Sequence, residues 1–130
     1  MEKTEKITLT IGVNTGYGHQ NTVDLADPKV FNTFVGWAIE EATKIFQETG
    51  IYPSFVATPT RAGYHPEWGC PESGESTMVL SGERNPAFCQ NRRAYLNAWR
   101  MLAERLKKRF DQTTCTLVRQ EVELGYLSSK

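Results

Sequence analysis

Residues 59–75, PTRAGYHPEWGCPESGE, gather one Arg, one Tyr, one His, one Trp, one Cys and three Glu, with three Pro and three Gly. Arg61 suits the pairing of an anionic group, and Tyr64 and Trp68 suit stacking on a planar ligand. The glutamates Glu67, Glu72 and Glu75 can hold the Arg, contact ribose hydroxyls or move protons. The competing structural reading is that Tyr64 and Trp68 simply cover the end of the core, as aromatics in long loops often do.

His65 and Cys70 raise two further chemistries. A thiol–imidazole pair would make Cys70 a nucleophile with His65 as its base, but no third group is evident to orient them. Zinc asks for about three or four protein ligands, and this loop offers one His and one Cys. His19, the remaining His of the chain, could complete a His19/His65/Cys70 set with a glutamate if the two loops met. The ligand count argues against it. No metal, no cofactor and no catalytic residue is therefore assigned.

A second segment, NTGYGHQNT (residues 14–22), places two glycines ahead of a helix start. Backbone amides of Asn14, Thr15, Gly16, Tyr17, Gly18 and His19, with the helix N-terminus, favour an anion. The segment is not GxGxxG, lacks the Lys and Ser/Thr of a phosphate loop, and carries the opposing charges of Asp24 and Asp27.

The elements that must hold these loops follow from periodicity. Ile7, Leu9, Ile11 and Val13 alternate with Thr8, Thr10 and Gly12, which predicts a strand with one buried face. Asp27-Pro28 opens a helix as cap and first-turn proline. Phe31, Phe34, Val35, Ala38, Ala42, Ile45 and Phe46 give it an apolar stripe, and Gly50 closes it. A second strand is predicted over residues 52–58, at an edge because of Pro53. A third is predicted over 76–82. Asn85-Pro86 repeats the Asx-Pro start for a second helix running to about Phe110, with Phe88, Tyr95, Trp99, Leu102 and Leu106 on its apolar face. A fourth strand is predicted over 113–124.

The order β-α-β-β-α-β is that of a ferredoxin-like α+β domain spanning residues 1–130. Right-handed crossovers then give a four-stranded antiparallel sheet ordered 4-1-3-2 with both helices on one face. In this topology the loops after the first and second strands emerge at the same end. Long loops in compact domains are often functional, and two at one end more so. The pocket predicted from this convergence has Arg61, Tyr64, His65 and Trp68 on one wall and residues 14–22 on the other.

Composition narrows the partners. The 130 residues include 15 basic and 15 acidic side chains, so global charge points to neither nucleic acid nor membrane. A basic series on the second helix (Arg92, Arg93, Arg100, Arg105, Lys107, Lys108, Arg109) reads chiefly as solvated surface. The open sheet face offers Thr8 and Thr10 rather than basic and aromatic residues, which argues against nucleic-acid binding. No apolar run reaches the ~20 residues needed to span a bilayer, and no signal peptide is evident, so a cytoplasmic protein is expected. Cys70, Cys89 and Cys115 are widely spaced and expected to be reduced.

The leading functional expectation is a small binding protein, a homo-oligomer, that holds an anionic, nucleotide-like molecule between the two loops. The second is a hydrolase or lyase using His65, Cys70 or Glu67. The third is an interaction module that assembles through its open sheet face or strand edges.

Overall fold

The computed structural model describes residues 1–15 and 20–129. Four strands and two helices follow in the order β1 (Glu2–Gly12), α1 (Pro28–Thr49), β2 (Val56–Ala62), β3 (Glu75–Glu83), α2 (Arg92–Arg109) and β4 (Thr116–Leu124). The strands form one antiparallel sheet ordered β2-β3-β1-β4. This is the ferredoxin-like α+β arrangement expected from the element order.

The alternation in β1 sets the layers. Ile7, Leu9 and Ile11 are buried against the helices. Thr8, Thr10 and Gly12 share the opposite face with Thr77, Val79 and Ser81 of β3, their register partners. On the helix side, Phe34, Ala38, Ala42 and Ile45 of α1 meet Trp99, Leu102 and Leu106 of α2 over Met78 and Leu80. Full burial of each large apolar side chain is worth about 1.5–3 kcal/mol.

The ends of α1 follow its sequence. The Asp27 carboxylate accepts from Lys29 N at 2.9 Å, and Gly50 closes the helix at φ 78°, a backbone state that other residues enter at a cost. The start of α2 differs from the expectation. Asn91, not Asn85, is its cap, accepting from Ala94 N at 3.0 Å. Asn85 instead closes a separate turn, accepting from Ala87 N at 3.0 Å. Phe88 therefore leaves the helix face and is 76% exposed.

The boundaries of β2 also shift. Instead of spanning residues 52–58 it runs from Val56 to Ala62 and takes in Pro59, opposite Met78. An edge strand tolerates proline because one side of its backbone lacks a partner. The loop between β2 and β3 shortens to residues 63–74, with a single 3-10 turn at Pro66–Trp68.

The basic series of α2 is largely engaged with acidic neighbours. Arg109 pairs with Glu40 and Glu41 of α1, at 2.8 Å each, and its guanidinium lies 5.2 Å from the centre of the Trp37 ring. Arg105 reaches Glu48, Lys107 pairs with Glu104 and Arg92 pairs with Glu5. No described helix is long and apolar enough to cross a membrane.

Candidate functional site

The loops after β1 and β2 meet at one end of the sheet, and the contacts between them are specific. The Asn21 side chain donates to Gly74 O at 2.8 Å and accepts from Ser76 N at 2.9 Å. Leu25 N donates to Ser76 Oγ at 3.0 Å. Asn14, 6% exposed, folds the first loop on itself: its Oδ1 accepts from Val23 N at 2.8 Å and Thr22 Oγ1 at 3.0 Å, and its Nδ2 donates to Val23 O at 2.7 Å. Buried amides with this many partners fix a loop shape without regular structure.

On the open face of the sheet at this end lies a cavity of about 420 Å³. Thr10 and Gly12 of β1, Thr77 of β3 and Thr116 of β4 contribute its strand side. Ala62, Tyr64 and Glu75 bound it on one flank, and Thr15 and the 111–115 turn on the other. Tyr64 OH donates to Glu75 Oε1 at 2.9 Å. A hydrogen bond to a charged carboxylate of this kind is among the stronger ones and fixes both groups. The other carboxylate oxygen, Oε2, lies across Gly12, where a Cβ would overlap it. Glycine at this point of β1 is what lets Glu75 lean over the sheet.

The far flank is held by Gln112 and Asp111. Gln112 Nε2 donates to Asn14 O at 2.9 Å and Phe110 O at 3.1 Å. Thr15 Oγ1 donates to Asp111 Oδ2 at 3.2 Å. Asp111 adopts φ 55°, a state in which non-glycine residues cluster at functional sites. Cys115 also lines the cavity, and burial pushes its thiol pKa up, against a smaller lowering by Lys107. It is therefore a poor source of thiolate. The two charged side chains among the described lining residues, Glu75 and Asp111, are both acidic.

Of the residues predicted to form the pocket, Thr15 and Tyr64 line this cavity, and Asn14, Arg61, His65 and Trp68 lie outside its lining. Gly16, Tyr17, Gly18 and His19 lie outside the described residues. Arg61 sits on β2 rather than in the loop. It shares the register position of Ser76, and its Nη2 donates to Asp24 Oδ2 at 2.8 Å. His65 caps the 3-10 turn, its Nδ1 accepting from Glu67 N at 3.1 Å. Its ring is 5.7 Å from that of Trp68, whose side chain is 69% exposed and so does not cover the core. No group of three or more His, Cys, Asp or Glu among the described residues is arranged to hold a metal.

Gly12, Thr10, Thr77 and residues 111–116 are not among the predicted site residues, and Glu75 stands there level with the other glutamates. The signal for Glu75 was its position. It opens a strand directly after Gly74, which turns at φ 83°, so its side chain emerges where loop and sheet meet. Gly12 occupied an outward position of the β1 alternation, where a missing side chain leaves room for a neighbour.

A fold of this common type does not define an activity; the cavity is bordered by residues of both loops and by two carboxylates, in the kind of concave setting where small molecules bind. The family model described as SAM lyase matches residues 2–128, and the chain belongs to the SAM lyase family. Among solved structures it is similar to a phage SAM lyase in its apo state, at 14% identity over 92% of this chain and 81% of that one, with a TM-score of 0.62. It is also similar to a phage SAM lyase in complex with S-methyl-5'-thioadenosine, at 18% identity over 91% and 81%, with a TM-score of 0.53. At these identities the structural likeness carries the fold. Comparison with curated proteins gave no match. Family membership supports the lyase alternative more than a plain binding protein.

Proposed function

We propose that the protein cleaves S-adenosylmethionine at its sulfonium, releasing S-methyl-5'-thioadenosine, and that the cavity beside Tyr64 and Glu75 is where it does so. The observation that carries the reading is the lining itself. Its charged groups among the described residues are both carboxylates, one of them held by a tyrosine hydroxyl, in a chain of the SAM lyase family. S-adenosylmethionine carries a sulfonium and an ammonium against one carboxylate. An acidic lining attracts such a cation and disfavours the anionic ligand expected from the loop sequences.

The chemistry that fits this lining is internal displacement. An oxygen of the substrate's own carboxylate attacks Cγ, the Cγ–S bond breaks, and its electron pair returns to sulfur. The products are a neutral thioether and a five-membered lactone. No proton moves, so no general base is required, in keeping with a described lining free of His and Lys. The enzyme's task is to hold the aminobutyrate chain curled, and well-oriented intramolecular reactions gain up to ~7–11 kcal/mol over their bimolecular counterparts. Positive charge vanishes from sulfur in the transition state. A carboxylate pressed against sulfur would stabilise the reactant instead. Glu75 is accordingly assigned to anchoring the substrate's polar end, with Tyr64 fixing its carboxylate.

In β4 every residue from Thr116 to Glu121 is exposed, and the cavity opens on the uncovered sheet face. A second copy of the chain across this face would close the cavity, in line with the expected homo-oligomer. Native mass spectrometry reads this directly, and a monomer at all concentrations removes it.

The activity is tested by incubating the protein with S-adenosylmethionine in H2(18)O and separating products by mass spectrometry. S-methyl-5'-thioadenosine and lactone are expected, with no label at the γ-oxygen. Label at the γ-oxygen of homoserine would mean attack by water, and an unsaturated amino acid would mean elimination. Absence of S-methyl-5'-thioadenosine would remove the proposal.

A further inference from the structure

Gln112 borders the proposed lyase cavity, and its amide is held in one orientation. Its Nε2 donates to three backbone carbonyls: Asn14 O at 2.9 Å, Phe110 O at 3.1 Å and Asp111 O at 3.3 Å. A carbonyl oxygen only accepts, so turning the amide over would set its own oxygen against all three. Oε1 is the atom left to face the sheet. It stands 2.9 Å from where a Cβ on Gly12 would sit, with Cδ behind it at 3.6 Å.

Glu75 Oε2 occupies that same position over Gly12. Two acceptor oxygens, from β3 and from the turn after α2, therefore converge on one point of the open sheet face. Tyr64 takes up the other Glu75 oxygen. Among the described residues no donor reaches Glu75 Oε2 or Gln112 Oε1. Facing acceptors repel one another unless a donor lies between them, and the charge on Glu75 favours a cationic donor over a neutral one. Asp111, the other charged residue of the described lining, adds negative potential. In S-adenosylmethionine the hydroxyls and the adenine amino group are neutral, and the sulfonium has no proton to give. The α-ammonium alone is both charged and a donor, with three N–H groups as in a lysine head.

We propose that Gln112 is a substrate-binding residue that selects for this α-ammonium, its Oε1 and Glu75 Oε2 forming a two-oxygen seat above Gly12. The inference rests on the lyase reading and adds to it a second, neutral acceptor and the substrate group that it takes. Seating the ammonium fixes Cα and leaves the neighbouring carboxylate free to turn onto Cγ.

The test compares S-adenosylmethionine with its desamino analogue, which keeps adenosine, sulfonium and carboxylate and lacks the α-amino group. Rates are measured for the native chain, Gln112→Met and Gln112→Lys. Met keeps the length of the side chain without the oxygen, and Lys keeps a donor for the Asn14 and Phe110 carbonyls. The native chain is expected to prefer S-adenosylmethionine. Each variant is expected to lower that preference, read as the ratio of the two kcat/KM values, by about tenfold or more, the size of effect of one hydrogen bond to a charged group. A purely structural Gln112 would lower both substrates alike, as would one that holds the adenine amino group, which the analogue retains. An unchanged ratio in a folded variant, or a native chain that does not distinguish the two compounds, therefore overturns the inference. Should Gln112→Met fail to fold, Gln112→Lys decides. Release of S-methyl-5'-thioadenosine by the native chain tests the lyase reading separately. If neither compound is turned over, that reading falls, and the dissociation constants of the two compounds are compared across native chain and variants by the same criterion.

Discussion

Gly12→Ala isolates the geometry of Glu75 from its chemistry. The added Cβ overlaps Glu75 Oε2 and stands 2.9 Å from Gln112 Oε1. Ordinary carbon contacts lie near ~3.5 Å or beyond, so the carboxylate must retreat by about 1 Å. A misplacement of that size in a group that positions the substrate costs about 10²-fold in rate, or roughly 2.7 kcal/mol. Stability should move little, because replacing glycine lowers the entropy of the unfolded chain by about 0.4–1 kcal/mol and offsets part of the clash. The assay is the initial rate of S-methyl-5'-thioadenosine release over a range of S-adenosylmethionine concentrations, with the melting temperature in parallel. The expected result is a hundredfold loss in kcat/KM in a folded protein. In a Glu75→Gln background the same substitution should add far less, since the two act on one group. A kcat/KM within threefold of wild type, or a full hundredfold loss on top of Glu75→Gln, refutes the assignment.

Three further outcomes follow. Tyr64→Phe removes the donor to Glu75 and should lower kcat/KM by about 10- to 100-fold, corresponding to a charged hydrogen bond of ~1.5–3 kcal/mol. Arg61→Ala breaks a half-exposed pair with Asp24, with side chains 38% and 39% exposed. It should cost about 0.2–1 kcal/mol in urea unfolding and leave kcat unchanged, whereas a large rise in KM would restore Arg61 to the ligand site. Glu5→Gln breaks a buried pair with Arg84, with side chains 2% and 8% exposed, and should cost about 3–5 kcal/mol by denaturant unfolding. The Arg84 hydrogen bond holds the Glu5 carboxyl below its ordinary value of 4.5. Its contribution is therefore present above about pH 4.5 and lost as pH falls through the lowered value. The variant should lack that part of the acid dependence.

Much of the fold was legible because local signals agreed with it. The Ile7–Val13 alternation, the Asp27-Pro28 start and Gly50 each carry their physical cause in a few neighbouring residues. Asn85-Pro86 misled because an Asx-Pro pair also suits a plain turn, and the choice was made at a distance: Arg84 reaches back to Glu5, donates to Cys89 O and ties down the segment before Asn91. Pro59 was expected to open the loop and is instead tolerated within β2, which has a strand partner on one side alone. Convergence of the two loops followed from topology and is realised through Asn21. Which residues face the cavity was not legible. Arg61 and Ala62 are adjacent but point to opposite sides of the sheet, so placing both in a loop, with β2 expected to end four residues before Ala62, hid which of them faces the cavity. Glu75 owes its orientation to Gly12, which is distant in sequence, and no local pattern could join the two.

The sheet order bears on how the molecule comes into being. β1 is made first, yet both of its neighbours, β3 and β4, are made late, and the Glu2↔Leu124 pairing joins nearly the two ends of the chain. During synthesis the buried face of β1 must wait for residues 75–83 and then 116–124 to leave the ribosome. Such non-local pairing folds slowly and leaves an apolar strand open to wrong partners in the interval. Segments around Gly12, Tyr64, Glu75 and Thr116 all border the proposed lyase cavity, so catalytic competence should arise only on closure of the last strand. Turnover would then serve as a clock for the completion of folding, trailing behind helix formation.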